Sequence, residues 1–319
     1  MTPWQPFLSP ASVCQFTAGL PAPAMPLFLR RMIGQRIKQL TGSTSSPEAF
    51  AHPAGDPGLL GPDAVAWRVH AHFVGMMVGG LSSLMLQALH PRALAAVWDH
   101  SQFRNNLKGR LGRTAYFVAV TTYGAKADAL AAIERVNRIH AQVTGHMPDS
   151  SPYTANEPEL LRWVHLGEVT SFLNGYQWLS SQRLNTAETN AYISEMASIG
   201  QRLGATHLPT DVFSHQQALA AFQPQLRFDE RTREILHVIE NYPVDLIDKP
   251  FMKLVVQASF HVLPDWALAM LGKPVASEWE KQCVRQALRL ASSPVQAALD
   301  MDGVATQAKR RVNALPTNI

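Results

Sequence analysis

The sequence predicts an all-α protein, a single large helical domain that is globin-like or an irregular bundle. Apolar residues recur at spacings of three and four along nearly the whole chain, and β-branched runs bounded by turns are few. Of the 319 residues, 46% are hydrophobic, which is ample for one core. We expect an N-terminal arm and basic helix over residues 1–50, the main helical domain over 51–303 and a basic tail over 304–319.

Composition excludes several classes of function. The net charge is only +4, and no run of like charge is long enough to follow a phosphate backbone, which argues against nucleic acid as a partner. Cys14 and Cys283 have no CxxC partner, so we expect neither a thiolate metal site nor a disulfide, and a reducing, cytoplasmic setting fits best. Residues 187–293 contain no nucleophile elbow, GxGxxG, Walker lysine loop or HExxH motif.

The first elements are an arm and a basic helix. Prolines interrupt any signal-peptide core in the first 30 residues, which we interpret as a mobile or surface-draped arm. Residues Leu27–Leu40 form a predicted amphipathic helix that carries Arg30, Arg31, Arg36 and Lys38. A solvated helix face is the simpler interpretation, and peripheral membrane contact is the alternative.

Two apolar segments, Phe73–Leu89 and Pro250–Leu271, fall short of a clean membrane span and are predicted to be buried core helices. Before the first of them, Asp63 is predicted to cap a helix that runs through Trp67. Small residues within the segment would permit close approach of another helix or of a flat ligand. They are Gly75, Gly79 and Gly80.

The next helix ends at Gln87–Pro91, where the proline cannot continue it. His90 and His100 lie at or near predicted helix ends. Either imidazole could be a metal ligand, but histidines at helix ends more often hydrogen-bond backbone carbonyls.

A cationic turn, Arg110-Leu-Gly-Arg113-Thr114, precedes a predicted helix over Ala125–Gly145. On that helix His140 lies on an apolar stripe and should point into the core. An imidazole facing guanidinium groups suits an anionic, planar, metal-bearing cofactor. A lone histidine on an apolar face is, however, more often a hydrogen-bonded core residue.

Asn156-Glu-Pro158 opens a further helix, on which His165 and Glu168 share a face. Together with His140 they would supply two imidazoles and one carboxylate, the ligand set of a non-haem iron oxygenase. Alternatively, Glu168 only orients His165. Beyond Ala305 the sequence predicts a frayed basic end.

Several motifs in order give the chain a family resemblance. It resembles the MpaB-type oxygenases, which include the rubber oxygenases, over residues 55–300 and most strongly over 67–172. The motifs are Asp56-Pro-Gly58, Trp67-Arg68-Val-His70, Leu86-Gln-Ala-Leu-His90-Pro91, Asp99-His-Ser, Gly109-Arg110, Arg113-Thr114, Val136-x-x-Ile-His140-Ala and Trp163-Val-His165.

This resemblance implies an all-helical fold around a cofactor pocket. In the rubber-cleaving members it implies a b-type haem held by a histidine, and cleavage by O2 of a carbon–carbon double bond in an isoprenoid chain. His140 matches the iron ligand, and His165 is a further cofactor-binding candidate. The family's Arg-x-x-Lys-Thr turn matches Arg110, Arg113 and Thr114, with arginine in place of the lysine. Since a guanidinium group stays protonated, Arg113 cannot ligate iron.

The functional hypothesis is therefore a haem-dependent oxygenase that acts with O2 on an apolar, unsaturated isoprenoid or lipid-like substrate. Arg110 and Arg113 would pair with haem propionates or polarise bound oxygen, and Thr114 would donate a hydrogen bond to that oxygen. Three alternatives remain open: the non-haem iron site, a haem- or lipid-binding helical protein without turnover, and a structural protein with core histidines. His90, His100 and His165 remain rivals to His140 as the metal ligand.

Overall fold

The computed structural model describes residues 26–42, 46–104 and 106–314. Nearly every regular element is helical, as the sequence predicts. The α-helices are α1 (Leu27–Thr41), α2 (Val65–Ala71), α3 (Phe73–Gln87), α4 (Pro91–His100), α5 (Leu107–Tyr123), α6 (Lys126–His140), α7 (Pro158–Leu179), α8 (Thr186–Arg202), α9 (Val212–Phe222), α10 (Glu230–Glu240), α11 (Lys249–His261), α12 (Asp265–Met270), α13 (Glu278–Asp302) and α14 (Val304–Asn313).

The centre of the fold is the pair formed by α3 and α7. Glycines bring the two helices together, because a Cβ atom on Gly79 would lie 2.7 Å from the Ser171 carbonyl oxygen. Gly75 and Gly175 face each other across the same contact. The small residues of α3 therefore accommodate a second helix, which is one of the two expectations for them, and the buried core continues from this pair onto α10, α11 and α13.

Helix α7 has 22 residues and begins with Pro158, as the sequence predicts. Proline is favoured at this first position because its missing N–H group would have no helical partner. Buried residues occur all around α7, so the helix is covered by neighbours rather than by solvent. It carries His165 and Glu168 into the interior.

The chain after His140 departs from the prediction, because α6 ends at His140 and does not continue to Gly145. Residues Thr144–His146 form strand β1, which pairs antiparallel with β2 (Pro152–Thr154). The hydroxyl of Tyr153 on β2 donates a hydrogen bond to Asp99 at 2.5 Å. Strand pairing thus satisfies backbone groups that a longer helix would have used.

The cap of α2 also differs from the prediction. The sequence predicts Asp63 as the cap of this helix, but Ala64 is the capping residue and offers no side-chain hydrogen bond. The carboxylate of Glu195, on α8, instead accepts hydrogen bonds from the N–H groups of Val65 at 2.9 Å and Ala66 at 2.8 Å. A residue 130 positions away therefore satisfies the first turn.

Residues 304–313 form the helix α14, so the expectation of a frayed basic end is wrong for them. Arg311 on α14 is completely buried. Its guanidinium group donates to the carbonyl oxygens of Asp56 at 2.9 Å, Phe50 at 3.1 Å and Gly124 at 3.4 Å. These bonds attach α14 to the segment around residues 50–56 and to the end of α5, and they satisfy the buried guanidinium group in an apolar setting.

The basic helix predicted near the N-terminus is present as α1, and Gly42 ends it in the left-handed conformation, with φ of 68°. The predicted N-terminal arm lies outside the described residues up to position 25, as does Cys14. Cys283 is exposed and forms no disulfide with a described residue.

Within the described ranges, no single helix is long and apolar enough to cross a membrane. Helices α2 and α3 pass the same test only as a pair, and they meet at an angle of 90°. The segments Phe73–Leu89 and Pro250–Leu271 correspond to α3 and to α11 with α12, and they contribute to the core as predicted.

Candidate functional site

The cationic motif lies within the first two turns of α5 and not in a turn, which corrects the sequence-based expectation. The side chain of Asn106 caps this helix and accepts a hydrogen bond from the N–H group of Gly109 at 2.9 Å. A good cap with no proline downstream lets the helix start before Arg110. Arg110 and Arg113 are consequently one turn apart on the same helix.

Arg110 is a desolvated cation. Burial, and next to it the charge of Arg113, lower the pKa of Arg110 to about 10. Neither guanidinium group forms an ion pair or a side-chain hydrogen bond with any residue in the described ranges. Two adjacent cations without counter-charges make this end of α5 a favourable place for an anion.

Thr114 is exposed, and its hydroxyl donates to the carbonyl oxygen of Arg110 at 3.3 Å. In this arrangement the hydroxyl is engaged with its own helix, as is common for threonine. The hydroxyl must break its hydrogen bond to the Arg110 carbonyl oxygen before it can donate to a ligand.

His140 is the last residue of α6 and is half-buried. Its Nδ1 atom is buried and has no hydrogen-bond partner among the described residues. Burial lowers the pKa of His140, which favours the neutral imidazole that metal ions bind. One turn earlier, the side-chain amide of Asn137 donates to the carbonyl oxygen of Arg202 at 3.0 Å, so the end of α6 is attached to the end of α8.

His165 is buried on α7, where burial lowers its pKa to about 3. Gly200 on α8 permits this packing, because a Cβ atom there would lie 2.8 Å from the His165 Nδ1 atom. A second buried histidine, His215 on α9, lies nearby and bonds Thr170 at 2.8 Å. His165 itself makes no hydrogen bond to a described residue.

Glu168 has a carboxyl group whose pKa is shifted strongly upward in the protein interior. Burial raises its pKa to about 7, and within the described part of the chain it has no ion-pair partner. It lies near Tyr192 of α8, whose pKa is raised by burial and further by the charge of Glu168. Near neutral pH, Glu168 is thus poised between its protonated and ionised forms.

Two of the three rivals to His140, His90 and His100, lie within hydrogen-bond distance of backbone groups. The ring of His90 caps α4 and faces the N–H group of Ala93 at 3.5 Å. His100 Nε2 lies 3.0 Å from the carbonyl oxygen of Thr144, as expected for a histidine at a helix end. The described residues contain no group of three or more His, Cys, Asp or Glu side chains able to hold a metal ion. His140, His165 and Glu168 are therefore not gathered into a three-ligand site.

A narrow apolar cavity of about 40 Å³ adjoins Arg110. Among the described residues that line it, Arg110 is the only charged one and Gln87 is the other polar one. The cavity lining comprises Leu84, Gln87, Ala88, Ala93, Leu94, Val97, Phe103, Leu107, Arg110, Val164, Ile235, Val238 and Ile239. Val164 precedes Glu168 by one turn on α7, so the cavity, Arg110 and Glu168 belong to one region.

A buried hydrogen-bond network that the sequence pattern does not predict joins three helices beside this region. His70 Nδ1 lies 2.8 Å from the Thr122 hydroxyl on α5, and His70 Nε2 lies 3.1 Å from the Tyr192 hydroxyl on α8. Burial lowers the pKa of His70 to about 3, so the ring is neutral. His70 belongs to one of the ordered motifs, but nothing in the sequence pairs it with residues 52 and 122 positions away.

These groups are complementary to a planar, anionic, metal-bearing molecule. His140 offers a buried ring nitrogen without a partner, and Arg110 and Arg113 offer two cations without counter-ions. Such a molecule needs only one protein ligand for its metal and positive charge for its carboxylates. The donor set therefore fits a haem group.

Comparison with known proteins identifies the family. Residues 67–293 match the family model described as ER-bound oxygenase mpaB/B'/Rubber oxygenase, catalytic domain. No curated protein and no solved structure gives a significant match. The matched region runs from α2 to α13 and contains every site residue described above. The chain therefore belongs to this family of oxygenases, as its ordered motifs predict.

Proposed function

We propose that the protein is a haem-dependent oxygenase that uses O2 to oxidise an apolar, unsaturated isoprenoid or lipid-like substrate. The observation that carries this proposal is the orphaned, buried ring nitrogen of His140 in a chain of an oxygenase family. A buried polar atom without a partner costs about 1–3 kcal/mol, so a ligand that satisfies it is favoured.

His140 would hold the haem iron, and Arg110 and Arg113 would neutralise the propionates. Bound haem would supply the iron centre at which O2 is activated. The ring of His140 is suited to this role because burial keeps it neutral, and α6 is attached to α8 through Asn137 and Arg202. Attachment of the supporting helix limits the movement of the ligand.

Arg113 has a further consequence for the site. The resemblance places a lysine at this position in rubber oxygenases, and a neutral lysine can occupy an iron coordination position. A guanidinium group stays protonated and cannot do so. We therefore expect no protein nitrogen from α5 to compete with O2.

The apolar cavity would hold the substrate chain and keep water away from the reacting carbons. Its volume of about 40 Å³ is below the roughly 300 Å³ of a typical ligand pocket, so side chains along it must move when a substrate enters. Its lining is dominated by leucine, isoleucine and valine, which offers no recognition of polar groups beyond Arg110 and Gln87. This composition supports an apolar substrate.

The proposal is tested by O2 consumption and carbonyl-product formation with a panel of unsaturated isoprenoids and fatty acids, each beside its saturated counterpart. Turnover should require the double bond and should be lost in His140→Ala. His100→Ala is the matched control, since this histidine bonds a backbone carbonyl at the surface.

Two results would overturn the proposal. A haem-containing protein that consumes no O2 with any of these substrates would favour a binding protein without turnover. Activity that survives in haem-free protein but disappears with an iron chelator would instead support a non-haem iron enzyme.

A further inference from the structure

Exposed apolar side chains lie on the outer face of α1 and in the short turn before α11. Leu27, Phe28 and Met32 are exposed on that face, and Phe28 has 72% of its surface accessible. Leu246 and Ile247 are 79% and 78% exposed in the short 3₁₀ turn before α11. Single exposed apolar residues are ordinary in soluble proteins, but five in two neighbouring segments need an explanation.

An ion pair brings the two segments together. Arg36 of α1 binds Asp248 through Nε at 2.9 Å and through a terminal nitrogen at 2.8 Å. Met32 lies one helical turn before Arg36, and Ile247 immediately precedes Asp248. The apolar side chains therefore flank one ion pair on the same side of the molecule.

Other residues of α1 contact the rest of the protein, and these contacts fix the orientation of the helix. Its outer face therefore stays exposed. Arg30 binds Asp302 of α13 at 3.1 Å, and the Tyr242 hydroxyl donates to the carbonyl oxygen of Leu40 at 2.9 Å. Leu40 is buried. The helix consequently presents one face to the core and keeps Leu27, Phe28 and Met32 outside.

Basic side chains are interspersed with these apolar residues. Arg31 and Lys38 are exposed on α1, and Lys249 and Lys253 are exposed on α11. Arg31, Lys249 and Lys253 form no ion pair within the described ranges. The acidic side chains closest in sequence, Asp245 and Asp248, both face Arg36. The net charge of this surface is positive, which is complementary to anionic lipid headgroups.

The same surface borders an opening to the interior. A cleft of about 280 Å³, here called the mouth, is lined by Arg104, Leu107, His237, Val238, Asn241 and Pro243. Leu107 and Val238 also line the apolar cavity beside Arg110. Pro243 is three residues before Leu246, and Tyr242 bonds the end of α1. The mouth thus adjoins the cavity through Leu107 and Val238, and through Pro243 it adjoins the segment that carries Leu246 and Ile247.

We propose that this surface, defined by Leu27, Phe28, Arg31, Met32, Leu246 and Ile247 and called the membrane face, docks the protein peripherally on an anionic lipid bilayer. The apolar side chains enter the boundary between headgroups and acyl chains, and the lysines and Arg31 bind lipid phosphates and carboxylates. Docking turns the mouth toward the lipid. The delivery of an apolar substrate through the mouth rests on the proposed function, whereas docking itself does not.

Vesicle flotation of the full-length chain tests docking without cofactor or substrate. The probes are vesicles of phosphatidylcholine alone and of phosphatidylcholine with phosphatidylserine. We expect binding to the anionic vesicles that weakens at high salt. The double variant Leu246→Asp with Ile247→Asp should bind more than ten-fold more weakly, because two apolar insertions are lost. Its matched control is Phe213→Asp, an exposed apolar residue on α9, which packs on α7 and α8.

The electrostatic contribution is tested by reversing charge. Lys249→Glu with Lys253→Glu should weaken binding by at least about five-fold for each lysine. Reversal of two exposed basic residues on α6, Lys126→Glu with Arg135→Glu, is the control and should change binding little. Circular dichroism and Tm must match the wild type in every variant, so that loss of binding is not loss of fold.

Three outcomes would overturn the proposal. The first is that the wild-type chain floats with neither kind of vesicle. The second is that Phe213→Asp loses as much vesicle binding as Leu246→Asp with Ile247→Asp. The third is that no vesicle binds and light scattering shows a dimer that Leu246→Asp with Ile247→Asp dissociates, which would make the surface a contact between copies of the chain. None of these depends on haem or turnover, so failure of docking is distinct from failure of the proposed oxygenase activity.

Discussion

Arg110 and Arg113 lie one helical turn apart on α5, and burial together with the charge of Arg113 lowers the pKa of Arg110 to about 10. Two neighbouring cations without a counter-ion destabilise the protein that contains them. The arrangement is understandable if an anionic ligand completes it. Stability and ligand binding should therefore respond in opposite directions when Arg110 is replaced.

The first prediction concerns Arg110→Met. This change keeps the aliphatic part of the side chain and removes the desolvated charge, so the haem-free protein should become more stable by about 1 kcal/mol. Haem affinity should fall by about ten-fold or more, because a charge-assisted hydrogen bond is lost. Urea unfolding and haem titration measure the two effects. Arg110→Lys retains the charge and should keep most of the affinity; unchanged affinity in Arg110→Met would contradict the assigned role.

The second prediction concerns pH. The pKa of Glu168 is raised to about 7 in the folded protein, above the value of about 4.3 for an unfolded chain. Below about pH 4 the carboxyl group is protonated in both states and has no effect. As the pH rises toward 7 only the unfolded state releases its proton, so the stability of the folded protein falls by up to about 3 kcal/mol.

Glu168→Gln removes this titration. The variant should match the wild type in stability at about pH 4 and exceed it at about pH 8, as measured by urea unfolding. Glu159→Gln, at an exposed position of the same helix, is the control and should show no such difference. The contrary result is that the wild type gains stability relative to Glu168→Gln as the pH rises from about 4 to about 8. It would show that Glu168 is ionised and paired in the folded protein.

The third prediction concerns the network of Thr122, His70 and Tyr192. Tyr192→Phe leaves the Nε2 atom of His70 buried without a partner, which should lower the free energy of unfolding by about 1–3 kcal/mol. Tyr176→Phe is the control, because this buried tyrosine makes no hydrogen bond to a described residue. The measurement is urea denaturation. Equal effects of the two changes would show that the His70 contact contributes nothing.

The fourth prediction concerns the end of the chain. Arg311→Ala removes the donors to three buried carbonyl oxygens and should lower the free energy of unfolding by about 3 kcal/mol or more. Arg310→Ala removes an exposed contact to Asp302 and should cost less than about 1 kcal/mol. Thermal unfolding distinguishes them. If both variants unfold with the same free energy as the wild type, the hydrogen bonds of Arg311 do not stabilise the fold.

Local features of the fold were predictable from the sequence because they depend on neighbouring residues. The apolar spacing, Pro158 at a helix start and the glycines of α3 each gave a correct local prediction. Helix boundaries were less accurate where a distant partner decided them. Glu195 replaces Asp63 at the start of α2, and the pairing of β1 with β2 ends α6 at His140.

The candidate site was predicted only in part for the same reason. Motif order points to Arg110, Arg113 and His140. Arg110 and His140 combine burial with the lack of a partner among the described residues, whereas Arg113 is exposed. The roles of His70, Tyr192 and Arg311 arise from contacts across 52 or more positions, which spacing along one helix cannot reveal. The membrane face likewise depends on the ion pair that brings residue 248 to α1.

The absorption spectrum of protein expressed with haem supplementation, compared with that of His140→Ala, tests the central claim most directly. His90→Ala and His100→Ala are the matched controls. A Soret band that is present in the wild type and in both controls but lost in His140→Ala is the predicted result. A Soret band that survives in His140→Ala, or a wild-type protein that takes up no haem, would contradict the assignment of His140 as the ligand of a haem iron.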